Sequence, residues 1–118
     1  MDMREANLAF HYAEKLKSNL FLLSGALDIF ESFKGERQEG AREVVKGMLS
    51  GVRRELSISQ GYFPQEKADL VSEQLDAIER DVESSEYDSV RERLGVVISQ
   101  VTTVCSEHIK VLMEQGLV

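Results

Sequence analysis

Residues 90–111, VRERLGVVISQVTTVCSEHIKV, place Val90, Leu94, Val97, Val101, Val104, His108 and Val111 in steps of four and three. A helix turns once in about 3.6 residues, so those steps collect all seven side chains on one side. Such a helix needs a neighbour to cover that side. Ala68, Val71, Leu75, Ile78 and Val82 repeat the pattern over a shorter stretch just before it. Working outward, a first helix is predicted over 2–34, its stripe made by Ala6, Ala9, Ala13, Leu16, Leu20, Leu23, Leu27 and Phe30, with Gly35 placed to end it.

A second helix is predicted over 36–60, with Ala41, Val45, Met48, Val52 and Leu56 inward and Gly61 closing it. Pro64 suits the first turn of the third, where the amide it lacks would be unpaired anyway. That helix ends near Ser84, and Ser85 with Asp88 has the form of a capping pair for the fourth, which continues to about Gln115. Breaks of a few residues make neighbouring helices antiparallel. The expectation is an all-α, up-down-up-down antiparallel four-helix bundle with longer first and last helices, a single domain over 1–118. Fusion of the last two segments through Ser84 and Ser85 would give three helices instead.

The unequal lengths imply an overhang. Counting levels from the turns puts His11, Gln60, Pro64 and Cys105 at one height, so residues 1–10 and 106–115 extend beyond the shorter helices as a pair. Ala6, Ala9, Phe10, Ile109, Leu112 and Met113 would then be wet, and the first helix also carries Phe21, Leu22, Ile29 and Phe33 off its stripe. Apolar surface of that extent marks an association surface. A homodimer is the expected assembly, with a tetramer built from two overhangs as the larger option, through Phe10, Phe21, Leu22, Ile29, Phe33, Ile109, Leu112 and Met113. Gly40, Gly47 and Gly51 lie along one side of the second helix, each costing about 1 kcal/mol relative to alanine. Close packing of another helix is the expected compensation.

Composition narrows the field further. The net charge is −7, and residues 65–86 hold Glu66, Asp69, Glu73, Asp76, Glu79, Asp81, Glu83 and Glu86 against Lys67 and Arg80. A face of that sign repels phosphate backbones, which argues against nucleic acid and leaves room for a basic protein partner on helix three. The basic pairs Lys15 with Lys17, Arg53 with Arg54 and Arg91 with Arg93 read as solvated helix surface. No run reaches the roughly eighteen apolar residues of a membrane span. One cysteine, Cys105, and an opening unlike a secretion signal point to a cytoplasmic setting without a membrane.

One constellation has chemical potential. His11 and Glu14 are three apart on the first helix, Cys105 and His108 three apart on the last, and the level count brings both pairs to one end. Imidazole, thiolate and carboxylate there would suit zinc or iron, and an outward His11 would suit phosphotransfer. Against this, His108 on the core stripe needs only one hydrogen bond to sit quietly. Glu36 with Glu39 and Glu83 with Glu86 have dicarboxylate spacing but fall at helix ends, and no phosphate-cradling glycine loop or nucleophile elbow occurs. The reading is a self-associating interaction or scaffold module without catalysis; the alternative is a metal-binding or phosphotransfer bundle using His11, Glu14, Cys105 and His108.

Overall fold

The computed structural model describes residues 2–114 and 116, the side chain of Gln60 excepted. Four helices form a compact bundle: α1 (Met3–Phe30), α2 (Glu36–Ser59), α3 (Gln65–Glu83) and α4 (Tyr87–Glu114), with a short 3-10 turn, Gln60–Tyr62, before α3. Each helix packs on its neighbours in the cyclic order α1, α2, α3, α4, and α1 lies most extensively against α4. Between α2 and α3 the paired residues run in opposite order along the chain. Lys46 meets Glu83 and Arg53 meets Asp76 across α2 and α3, while Arg91 meets Asp28 across α4 and α1.

The core is the stripe pattern made solid. Leu16, Leu20, Leu23 and Leu27 of α1 are sealed against Val45, Val71, Leu75, Ile78, Val90, Leu94, Val97, Val101 and Val104. On α2 the inward position is Leu49, and Met48 is only partly buried at the margin of the core. Phe63 and Tyr87, at the starts of α3 and α4, close the two ends of the core, a role periodicity did not indicate.

Helix ends differ from expectation in physically instructive ways. Asp2 caps α1 by accepting the Glu5 amide at 2.8 Å. The helix ends at Phe30, and Ser32 Oγ donates to the Ile29 carbonyl at 2.7 Å beyond it. Gly35, with φ +63°, therefore does not terminate α1; its carbonyl receives the first amides of α2. Pro64 is the residue before α3, its carbonyl accepting from Lys67 and Ala68. Ser85 is not the N-cap of α4. It is left-handed, φ +56°, and sits in the turn that closes α3, where the Glu86 amide reaches the Asp81 carbonyl and the Ser85 amide reaches that of Val82. Two helices rather than one fused rod follow from that reversal. Gln115, the expected end of α4, lies outside the described residues.

The length mismatch is present. α1 and α4 each have 28 residues, α2 has 24 and α3 has 19, so the outer pair run about 42 Å against about 28 Å for α3. The inner side of the projecting pair is dry, however: Ala6 and Ala9 are fully buried and Leu112 nearly so. Alanines on α1 let α4 lie close enough to seal itself. Leu112 is accordingly not an interface residue of the exposed kind expected, and Phe10 and Ile109 are half-buried.

Candidate functional site

The expected His11, Glu14, Cys105 and His108 cluster does not assemble. Among the described residues no group of three or more His, Cys, Asp or Glu is placed to hold a metal ion. His11 faces solvent beside Phe10, their rings 6.0 Å apart. Glu14 is ion-paired with Lys17 at 3.0 Å. Cys105 is buried, and burial, with the nearby Glu14 charge, pushes its thiol up to about 11. A thiol so placed stays protonated and unreactive near neutrality. His108 is turned away to the α2–α3 connection, where its Nε2 donates to the Tyr62 carbonyl at 3.1 Å. Tyr62 in turn stacks on Tyr12, with ring centroids 5.5 Å apart. Tyr12, Tyr62 and His108 thus fasten that connection across α1 and α4, and they satisfy a histidine on the core stripe in the simplest way.

The acidic side of α3 is also less free than composition suggested. Asp76 and Glu79 are taken by Arg53, Glu83 by Lys46, and Asp81 by Arg93 at 2.9 Å. Lys46 and Glu83 hold each other charged: the bond between them raises the lysine and lowers the carboxyl. A groove of about 470 Å³ between α2 and α3 is lined by Lys46, Asp76, Glu79, Arg80 and Glu83, so most of its lining charges already face a partner. Arg53, Arg91 and Arg93 are therefore not simply solvated surface. Each ties two helices together, Arg91 reaching both Asp28 and Glu31 of α1.

Of the exposed large apolar side chains, which also include Met3, Val44, Ile58, Val96 and Met113, three share the outer ridge of α1. Phe21, Leu22 and Ile29 are 54%, 65% and 60% exposed, surrounding Gly25 and Ser18, which are also exposed. Phe33 is half-buried beside Phe30, at a centroid distance of 5.9 Å. Leu22 shares a shallow groove of about 250 Å³ with Met48 and Gly51 of α2. Lys15 with Glu55 ties α1 to α2 and Asp28 with Arg91 ties it to α4, and each of these three helices carries an exposed glycine within it, Gly25, Gly47 and Gly95. A Cβ added at any of these three would meet nothing within 4 Å. The same holds at Gly40 and Gly51, so no helix of the same chain packs closely on the α2 glycines, contrary to expectation.

Charge borders the ridge rather than crossing its middle: Asp28 stands beside Ile29, and Arg54 and Glu55 line the groove next to Leu22. Residues 18–27 contain no charged side chain, nor do residues 94–106 of the adjacent α4, in a chain that is 30% charged. Periodicity found the apolar excess of α1, but only packing could separate Phe21, Leu22 and Ile29, which stay out, from Leu112, which does not. No helix among the described residues is long and apolar enough to cross a membrane. The chain matches no family model, no curated protein and no solved structure.

Proposed function

We infer that this chain is a self-associating helical interaction module, a bundle that acts by binding through the outer ridge of α1 rather than by catalysis. The observation that carries the reading is the exposure of Phe21, Leu22 and Ile29 on one helix around a bare Gly25. Burying a side chain of that size is worth about 1.5–3 kcal/mol, so three on one ridge form a strong incentive for a second surface to cover them. A homodimer is the assembly this favours. Sedimentation equilibrium over low to high micromolar concentration tests it. A mass rising towards that of two chains is the expected result, and a single-chain mass throughout would refute the reading.

A further inference from the structure

We propose that Ser85, in the reversal between α3 and α4, is a phosphorylation site whose phosphoryl group is received by Arg42 of α2. The inference is independent of the α1 ridge. Ser85 is half-buried between Ser84 and Glu86, both exposed, so its hydroxyl stands in an accessible turn rather than within a helix. Arg42 reaches it from another helix, Nη2 donating to Ser85 Oγ at 2.6 Å. The Nε of the same guanidinium is buried without a hydrogen-bond partner among the described residues. A hydroxyl oxygen occupies only one arm of that planar fork, and a buried donor left unmet is costly. A phosphoryl group on Oγ brings three acceptor oxygens, enough to take Nη2 and Nε side by side.

The surroundings suit the added group. α4 begins two residues later, at Tyr87, and the unpaired amides of a helix's first turn favour an anion beside them. A cavity of about 330 Å³ opens next to Ser85, with Glu31 and Asp88 in its lining. Both of those carboxylates are held by Arg91, and Glu83 is held by Lys46, so repulsion from the acids around the turn is already reduced. In sequence, Glu83, Glu86 and Asp88 flank the serine with the kind of charge pattern by which kinases choose substrates. The reaction is transfer from a nucleoside triphosphate by an acid-directed protein kinase. A bond forms between Ser85 Oγ and the γ-phosphorus, the bond from that phosphorus to the bridging oxygen breaks, and nucleoside diphosphate and the hydroxyl proton leave. Its consequence is a stronger tie between α2 and the end of α3, the neighbouring helices that pack least extensively.

The test compares the full chain carrying phosphoserine at position 85, incorporated during translation, with the unmodified chain. The modified chain should have the higher urea midpoint. By phosphorus NMR its phosphate should titrate about one unit below the value of about 6 usual for a phosphoserine, because a guanidinium stands against it. Both effects should vanish in Arg42→Gln, which keeps a long side chain on α2 but removes the fork. An acid-directed serine kinase with ATP should label the folded chain, and Ser85→Ala but not Ser84→Ala should abolish the label. A phosphorylated chain no more stable than the unmodified one, or a phosphate titration indifferent to Arg42→Gln, would overturn reception by Arg42. Labelling confined to Ser84, or to chain unfolded in urea, would overturn the site. Either failure leaves self-association untouched.

Discussion

Arg42 Nη2 donates to Ser85 Oγ at 2.6 Å, tying the middle of the chain to the one non-glycine residue that the described backbone holds at positive φ. A left-handed residue with a Cβ costs roughly 1–2 kcal/mol, and glycine usually occupies this place after a helix. Ser85→Ala keeps that strain and loses the arginine contact, whereas Ser85→Gly loses the contact but relieves the strain. Urea denaturation should therefore find the alanine variant less stable than the glycine variant by about 1 kcal/mol.

Leu20 and Phe21 are consecutive but opposite in fate, one fully buried and the other 54% exposed. A charge at Leu20 would be stranded in the core, so Leu20→Asp should abolish the cooperative thermal transition seen by circular dichroism. Phe21→Asp should leave the helical signal intact and shift the sedimentation equilibrium towards single chains. If Phe21→Asp left the assembly unchanged, the ridge would not be its interface.

The Cys105 thiol, raised from 9.0 to about 11 by burial and by Glu14, makes stability depend on pH at the alkaline end. The folded state favours the neutral thiol, so the contribution is unchanged below about pH 9, where both states bind the proton. As pH rises from about 9 to about 11 the unfolded chain ionises first and stability falls. Urea midpoints of wild type and Cys105→Ala should run parallel up to pH 8 and diverge above pH 9, with the wild type losing more. Labelling of the native thiol at pH 8 should be slow and become fast only in denaturant.

Gly47 and Gly51 lie on exposed turns of α2 with open space where a Cβ would go. Gly47→Ala and Gly51→Ala should each stabilise the fold by up to about 1 kcal/mol, because helix propensity rises and nothing is displaced. Chemical denaturation at a concentration where the chain is monomeric measures this directly. A loss of stability would mean that a neighbouring group of the same chain fills the space left open at these glycines.

The four helices were legible in the spacing of Leu16, Leu20, Leu23 and Leu27, and of Val90, Leu94, Val97, Val101 and Val104, because a core-facing stripe must recur with the helical period whatever surrounds it. Unequal helix lengths were legible too, since each break is local chemistry: Gly35, Pro64 and the Ser84–Ser85 step. Cap details were not. Ser85 reads like an N-cap by residue type, and its left-handed role is decided by the turn it must close and by Arg42 from another helix.

The candidate site divides along the same line. That α1 is too apolar for a helix with one wet side is written in its residues. Which apolar groups remain uncovered depends on how closely helices approach, and Ala6 and Ala9 let α4 bury Leu112 while Leu22 is left mostly exposed at the edge of a groove with α2. Whether His108 meets a metal or a carbonyl depends likewise on a side chain's direction and on the path of a distant connection. Periodicity belongs to one helix at a time and is therefore present in the chain's own order; contact belongs to pairs of helices and exists only once they are packed.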